Sequence, residues 1–176
     1  ENSFIGLQKL QKINVSNIGY CSEIRTPSNL FNKLPNLEKF INNNNEEIYF
    51  DLDDLKDCTK LKMIDTESSI SLLLPTTFNN LVDLKMLTFR EPEFFDQETF
   101  KSLINLEILW VNDFSIHSSI KVMHPDIFKN NRKLKKIALI GTKFKTIDEN
   151  IFVNQEQLEF LNLEDNHFEF IPDNIF

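Results

Sequence analysis

Apolar residues along the chain follow neither the 3.6-residue period of a helix nor the simple alternation of a surface strand. The pattern is clearest from Leu158 to Phe176. Leucines stand at positions 158, 161 and 163, and further apolar residues stand at 168, 171 and 176. Asn166 separates the two groups. The stretch predicts a short strand, a turn and a returning irregular segment.

The same unit recurs along the whole chain, and each copy starts with a leucine that we call its opener. The seven openers lie 22 to 28 residues apart. They are Leu10, Leu37, Leu61, Leu84, Leu106, Leu134 and Leu158. The residues three and five positions after an opener are apolar in twelve of fourteen cases, the exceptions being Asn42 and Thr66. One repeat cannot bury its own apolar face, so we expect neighbouring repeats to stack into a solenoid.

A second apolar marker precedes each opener by six positions and is phenylalanine in all repeats but one. The markers are Phe4, Phe31, Leu55, Phe78, Phe100, Phe128 and Phe152. Stacked repeats would align these rings into a column, and each ring buries roughly 150–250 Å². Midway between marker and opener, Asn131 and Gln155 replace the apolar residue of the earlier repeats. This replacement predicts looser packing in the last repeats.

The turns after the strands are expected to vary. Asparagine at this place would ideally form a hydrogen-bonded ladder with neighbouring backbones, but only Asn45 and Asn166 occupy it. Two repeats are longer, with extra residues around 20–27 and 116–124. Insertions in solenoids often lie on a binding face, yet long surface loops are also tolerated without any role. We favour the second interpretation.

The spacing LxxLxLxxNxFxxIPxxxF, the phenylalanine column and the Pro-to-Phe endings of several repeats resemble the "typical" extracellular class of leucine-rich repeats. That class includes Toll-like receptor ectodomains, Slit-like proteins and secreted immune repeat proteins of invertebrates. The resemblance implies an α/β solenoid, a horseshoe with a parallel sheet on its concave face and irregular, 3-10 or short helical segments on its convex face. It covers residues 1–176 as a single domain of about seven repeats. The Cys-rich caps of the class are missing, so we expect a piece of a longer protein.

The residues two, four and six positions after each opener should point to the concave side of such a fold. On three adjacent strands these positions include Met63, Met86, Ile108 and Trp110, the only tryptophan of the chain. Protein interfaces combine an apolar centre with a polar rim, and tryptophan is enriched at their hot spots. The candidate ligand-binding residues are Met63, Asp65, Glu67, Met86, Arg90, Ile108, Trp110 and Asn112. Alternatively, these are ordinary surface apolar residues, and a long neighbouring side chain covers Trp110.

Charge is distributed unevenly along the chain. The formal net charge of −8 argues against nucleic acid as the main partner. Residues 121–145 are rich in lysine and arginine, whereas residues 146–176 carry eight acidic residues and no lysine or arginine. We interpret this as attraction between adjacent repeats. A heparin-like or other anionic partner of the basic band is the alternative.

No grouping of residues predicts catalysis, a cofactor or a metal ion. His117 and His124 share a loop with serines but have no orienting acid at a recognisable position. The acidic residues at 51–54 lack the glycine and the distal glutamate of an EF-hand calcium loop. We therefore expect no enzyme.

Two further positions bear on the cellular compartment. Cys58 takes the place of a buried leucine, and a bridge from Cys58 to Cys21 stays open because pairing cannot be deduced from sequence. Asn14-Val15-Ser16 is an acceptor for N-glycosylation in a secreted protein. A glycan on Asn14 would cover the first part of the sheet and direct binding to the middle repeats.

The sequence therefore predicts recognition of a protein or peptide through the concave face. The chain would be an extracellular or cell-surface ectodomain of a receptor, or a secreted immune or adhesion protein. The alternative is a cytoplasmic scaffold of the same fold that binds a signalling or cytoskeletal partner. The apolar runs fall far short of the roughly 20 residues that cross a bilayer, so no membrane insertion is expected. Exposed end repeats would allow self-association.

Overall fold

A computed structural model describes residues 4, 6–17, 24–25, 31, 33–43, 48–49, 52–69, 73, 76–92, 96–112 and 122–175. Within these ranges there are nine strands and one 3-10 helix, Leu52–Leu55. The strands are β1 (Lys12–Asn14), β2 (Ile24–Arg25), β3 (Lys39–Asn42), β4 (Ile48–Tyr49), β5 (Met63–Ser69), β6 (Met86–Arg90), β7 (Ile108–Asn112), β8 (Lys136–Ile140) and β9 (Phe160–Asn162).

Seven strands form one parallel sheet in the order β1-β3-β5-β6-β7-β8-β9. Every one of them begins two residues after an opener, because each repeat carries the same apolar spacing. The register pairs equivalent positions of successive repeats, as in Met63 with Met86 and Met86 with Ile108. The predicted parallel-sheet solenoid is confirmed, while the curvature of a horseshoe stays a prediction.

The phenylalanine column is confirmed. Four neighbouring ring pairs stack with their centroids 6.0 to 6.2 Å apart. These pairs are Phe4–Phe31, Phe78–Phe100, Phe100–Phe128 and Phe128–Phe152. Leu55, the one marker that is not aromatic, is also fully buried. The column therefore lies in the core that the sheet covers, with Phe4 and Phe152 only partly buried against it.

The two polar midway positions are not loosely packed, whereas looser packing of the last repeat as a whole stays a prediction, since Phe152, Leu158 and Leu161 are only partly buried. Asn131 and Gln155 are both buried. The Asn131 amide donates hydrogen bonds to the carbonyl oxygens of Phe100 at 2.8 Å and Leu103 at 2.9 Å. Gln155 Nε2 donates to the carbonyl of Phe128 at 2.7 Å. Each amide thus links its repeat to the preceding one.

The two polar exceptions within the strands are buried as well. Asn42 and Thr66 are 1% and 0% exposed. Thr66 Oγ1 donates to the carbonyl oxygen of Asn42 at 3.3 Å across neighbouring repeats. A buried hydroxyl with a partner costs little, so threonine is tolerated where most repeats have an apolar residue.

The asparagine ladder is present at the end of the solenoid. Asn166 Nδ2 donates to the carbonyl oxygens of Leu139 at 2.7 Å and Leu163 at 2.8 Å. Thr142, at the equivalent place one repeat earlier, donates its hydroxyl to Asn166 Oδ1. Asn45 lies outside the described residues.

The turns after several strands share one backbone conformation. Seven positions after the opener, φ is positive at Asn17, Glu91, Gly141 and Asp165. In the first three of these the N–H bonds to a carbonyl of the next repeat at 3.0 to 3.1 Å. Glycine adopts this left-handed region without steric cost, and asparagine and aspartate tolerate it. The turns are more regular than the variable side chains suggested.

The first insertion contains a strand, which the sequence did not predict. β2 lies within it and pairs in parallel with β4 of the next repeat, forming a separate two-stranded sheet. Most of the second insertion lies outside the described residues. At its end, Val122 forms a parallel bridge with Thr146.

Candidate binding surface

The surface of interest is the open face, which we define as the face of the seven-stranded sheet opposite the phenylalanine column. Side chains alternate along β7: Leu109 and Val111 are fully buried, whereas Ile108, Trp110 and Asn112 are half-buried on the open face. This alternation is the period-2 geometry of a strand. The structure thus places the β7 candidates on the face where the sequence expected them.

Three apolar candidates lie side by side on the open face. Met63, Met86 and Ile108 occupy equivalent positions of β5, β6 and β7 and pair directly in register. All three are half-buried. Adjacent parallel strands are about 4.8 Å apart, so their side chains form a continuous apolar row.

Trp110 is held by two contacts. Its indole stacks on the ring of Phe160, with centroids 5.9 Å apart and an interplanar angle of 18°. The strand between them is β8, and its residue directly beside Trp110 is Ala138, which is fully buried and whose methyl group is small enough for the indole to lie across that strand. Trp110 Nε1 donates to Asn112 Oδ1 at 2.8 Å. The indole is therefore fixed in orientation before any ligand arrives.

Phe160 is a residue that the spacing places on the concave side but that the sequence did not single out as a binding candidate. It lies two positions after the last opener and is 39% exposed. The alternative interpretation, that a neighbouring side chain covers Trp110, is thus partly correct, because Phe160 covers one face of the indole. The ring of Phe160 is itself aromatic and exposed, so it enlarges the apolar surface. The signal in the sequence was the small Ala138 between two aromatic positions.

The polar candidates do not all lie where their spacing from the openers predicts. Asp65 Oδ2 accepts a hydrogen bond from Asn43 Nδ2 at 3.2 Å. A bulge in β5 pairs Arg90 with Ser69, so Arg90 is not opposite Glu67 as the equal spacing from their openers indicated. The sequence also has an acidic residue, Asp113, directly after the candidate Asn112, but Asp113 lies outside the described residues.

A buried polar atom of Thr88 beneath this surface has no partner within the described part of the chain. Thr88 is 9% exposed and lies between Asp65 and Trp110 in register. Its Oγ1 has no hydrogen-bond partner among the described residues. Unpaired buried polar atoms are uncommon in native proteins, and this one sits at the centre of the candidate surface.

A line of charges of both signs runs along the start of the strands, one position after six of the seven openers. Lys62 pairs with Glu38 at 3.0 Å. Glu107 pairs with Lys85 at 3.1 Å and with Lys135 at 2.8 Å. The hydrogen bonds from Lys135 and Lys85 hold the pKa of Glu107 below its usual range. Exposed pairs of this kind add little stability singly, but this line borders the open face with charges that are already paired.

An ion pair joins the basic and acidic stretches where the structure describes them. Lys145 and Glu169 approach to 3.5 Å and are both exposed. This pair agrees with the interpretation that adjacent repeats attract each other, although one exposed pair contributes little.

Asn14 lies on β1 and its side chain is exposed. Its Oδ1 accepts a hydrogen bond from the Ser16 backbone N–H at 3.0 Å. Asn162, the equivalent residue of β9, makes the same bond with Glu164 at 2.8 Å. The acceptor side chain is therefore accessible at one edge of the open face.

Other chemistry has little geometric support. Over the described ranges, no three His, Cys, Asp or Glu side chains converge to hold a metal ion. His117 and the serines of its loop lie outside these ranges. In the same part of the chain no helix is long and apolar enough to cross a membrane.

Cys58 is buried and is a free thiol, so the structure does not show the bridge to Cys21, which lies outside the described residues. Burial raises the pKa of the thiol from 9.0 to about 11, with a smaller contribution from the Asp57 carboxylate. The thiolate is the reactive form. A difference of two pKa units lowers its population roughly a hundredfold below both pKa values.

We expect native Cys58 to react with iodoacetamide at mildly alkaline pH at least about a hundredfold more slowly than in concentrated urea. Mass spectrometry of the Cys58 peptide against time measures both rates. Equal rates in the native and unfolded protein would contradict the buried position.

Two family models match the sequence. Residues 1–107 match the model described as BspA type leucine rich repeat region, and residues 116–168 match the model described as leucine rich repeat. The first match alone covers more than half of the 176 residues. The chain belongs to the leucine-rich repeat family. No curated protein matches it significantly.

Solved structures of other leucine-rich repeat proteins share the fold. A leucine-rich repeat protein of Leptospira interrogans superposes with a TM-score of 0.70 at 20% identity, covering 96% of this chain and 46% of that one. The TLR13–ssRNA13 complex gives a TM-score of 0.56 at 19% identity, covering 87% of this chain and 25% of that one. This leucine-rich repeat chain spans less than half of either relative. Leucine-rich repeats serve as protein–protein interaction modules, typically as binding scaffolds, and the family assigns function no further.

Proposed function

We propose that this leucine-rich repeat chain recognises a protein ligand through its open face and is not an enzyme. The stack of Trp110 on Phe160 beside the row of Met63, Met86 and Ile108 is the observation that carries the proposal. Contiguous exposed apolar surface on a soluble protein marks an interaction site more often than scattered apolar residues do.

The physical basis is a rigid apolar centre. Large aromatic side chains bury much area at low entropic cost, and fixing them before binding removes part of the ordering penalty. Trp110 is already oriented by Phe160 and by its bond to Asn112. Its loss should therefore remove most of the affinity.

The candidate residues divide into two groups by their chemistry. Met63, Met86, Ile108 and Trp110 form the apolar centre. The polar group lies beside this centre and would supply hydrogen bonds and charge at the rim of an interface. It consists of Asp65, Glu67, Arg90 and Asn112.

We further propose an extracellular setting, as the ligand-binding ectodomain of a receptor or as a secreted immune or adhesion protein. The phenylalanine column and the exposed Asn14 acceptor site support this setting. A glycan on Asn14 would stand at the β1 edge and leave β5 to β9 accessible. A cytoplasmic scaffold with the same surface is the second candidate, because the free buried Cys58 suits a reducing compartment equally well.

The proposal predicts that one substitution on the open face abolishes partner capture. Trp110→Glu places a charge at the apolar centre, and we expect it to lose the partners that the wild-type protein captures from native extract and extracellular fluid. Met86→Glu, on the neighbouring strand, should lose the same partners. Val153→Glu is the matched control, since Val153 is 67% exposed outside the sheet.

Circular dichroism first establishes that each variant is folded. Partners retained by both Trp110→Glu and Met86→Glu would overturn the proposed site. Partners lost with both, and kept with Val153→Glu, would support it. The compartment that supplies the partners then decides between the ectodomain and the scaffold.

A further inference from the structure

One row of the open face combines the apolar centre with lysines on both sides. The residues two positions after each opener pair in register across all seven strands. In spatial order they are Lys12, Lys39, Met63, Met86, Ile108, Lys136 and Phe160. All three lysines of the row are exposed.

These lysines differ from those beside them. One position earlier in each repeat, Lys62, Lys85 and Lys135 all have a glutamate within 3.1 Å. In contrast, no carboxylate among the described residues forms an ion pair with Lys39 or Lys136.

Asp65 lies in the next row of the open face and already accepts a hydrogen bond from Asn43. Lys39 and Lys136 therefore carry positive charge that no ion pair with a described residue neutralises, although the whole chain has a net charge of −8. Such charge is available to a ligand.

We propose that this row binds a protein segment with an apolar centre and carboxylates on both flanks. This inference rests on the proposed function and names the chemistry of its partner. The apolar part of the segment covers Met63, Met86 and Ile108, and its acidic flanks lie at Lys39 and Lys136. Complementary charges across an interface accelerate association, fix the register and exclude wrong partners.

The sheet sets the spacing of the two flanks. Lys39 and Lys136 are separated by four strand steps of about 4.8 Å, or roughly 19 Å. The three side chains between them offer no strong hydrogen-bonding group. A nucleic acid, whose surface is rich in phosphates and base edges, would find no partner along this distance. An apolar peptide centre fits it.

Peptide display tests the inference directly. A library of random peptides of about sixteen residues is long enough to span the roughly 19 Å, even with several residues to spare at 3.3 Å per residue. The wild-type protein selects from the library, and the selected sequences are compared with the unselected ones. We expect enrichment of apolar centres flanked on both sides by aspartate or glutamate.

Matched variants assign the acidic flanks to the two lysines. Lys39→Glu/Lys136→Glu should lower the affinity for the selected peptides by about tenfold or more, because attraction becomes repulsion at both ends. Lys101→Glu/Lys129→Glu makes the same change in net charge on turns outside the sheet and should leave affinity within about twofold. Fluorescence of Trp110, the only tryptophan, reports binding at the site itself.

Each outcome decides the question. Selected peptides that are basic or uncharged at their flanks overturn the inference, as does equal weakening by the two double variants. If such peptides still lose binding with Trp110→Glu, the open face binds proteins and only the partner chemistry is wrong. If no peptide depends on either Trp110 or the two lysines, the proposed function fails together with the inference. Stronger binding of polyuridylate than of any peptide would assign the lysines to nucleic acid instead.

Discussion

Phe100→Ala should destabilise the protein more than any other single truncation in the phenylalanine column. Phe100 is fully buried and stacks on Phe78 and on Phe128, each 6.2 Å away, while its ring also lies 6.5 Å from that of Phe89. Truncation removes the ring and leaves a cavity between repeats on both sides. Phenylalanine-to-alanine changes in cores cost about 3–5 kcal/mol. This is a large part of the roughly 5–15 kcal/mol that stabilises a typical domain.

Urea unfolding followed by circular dichroism and by Trp110 fluorescence measures this loss. Trp110 lies on β7, the strand of the repeat that carries Phe100, so fluorescence reports on the affected repeat. Phe170→Ala is the control, because Phe170 is 62% exposed and its truncation should cost less than about 0.5 kcal/mol. Equal costs for the two variants would show that the column does not stabilise the fold.

Phe100→Leu separates the effect of volume from that of the aromatic ring. Leu55 occupies the same place in another repeat and is fully buried there, so leucine is compatible with the column. We expect Phe100→Leu to cost less than half as much as Phe100→Ala, since most of the volume is kept. The remaining cost reflects the lost ring contacts, which contribute about 0.5–1.5 kcal/mol per pair.

The regular parts of the fold follow from the sequence because they are repeated. Each opener fixes where its strand begins, and the same spacing recurs seven times, so the parallel register could be predicted residue by residue. Leu109 and Val111 had to face the core once Leu106 was identified as an opener. The phenylalanine column follows in the same way from the six-residue offset.

The irregular parts depend on contacts that a single sequence does not show. The bulge that moves Arg90 away from Glu67 arises within β5, where the apolar spacing gives no sign of extra residues. The pairing of β2 with β4 joins two short segments whose spacing matches no repeat position. Local sequence does not encode such pairings.

The candidate surface was predictable in outline. Alternation along the strands placed Trp110 and its apolar neighbours on one face. The orientation of the indole could not be predicted, because it depends on Ala138 allowing contact with a ring two strands away. The function of Asn131 was equally hidden: polarity suggested poor packing, whereas the carbonyls that accept from it belong to the preceding repeat.

Because its amide donates to these two carbonyl oxygens, Asn131 is the second position where we expect a substitution to have a large effect on stability. Asn131 is fully buried, and its Nδ2 donates to the oxygens of Phe100 at 2.8 Å and Leu103 at 2.9 Å. Asn131→Asp keeps the shape of the side chain and replaces the donor with a carboxylate oxygen. At neutral pH this places a negative charge against two carbonyl oxygens in the core. We expect a loss of more than about 3 kcal/mol in the free energy of unfolding.

Asn105→Asp is the matched control one repeat earlier. Asn105 Nδ2 also donates to a carbonyl, that of Val82 at 2.9 Å, but this bond is exposed. Its Oδ1 accepts from Lys133 Nζ at 2.7 Å, so a carboxylate there would gain an ion pair. The same chemical change should therefore alter stability by less than about 1 kcal/mol.

The loss of unfolding free energy in Asn131→Asp should grow as pH rises. Burial without donors raises the folded-state pKa of the introduced carboxyl group above its unfolded value of about 3.9. Below the unfolded value the group is neutral in both states, and its O–H can donate to one of the two carbonyls. As pH rises from the unfolded pKa to the folded pKa, the unfolded state releases its proton first and the loss grows; above the folded pKa it is constant.

Urea unfolding of the wild-type protein, Asn131→Asp and Asn105→Asp at several pH values tests this directly. The difference between wild type and Asn131→Asp should be smallest in acid and largest at neutral pH, whereas Asn105→Asp should show no such increase. A loss at Asn131 that is equal at all pH values would mean that the introduced carboxylate reaches water. The side chain would then not be the buried link between repeats that the two carbonyl bonds describe.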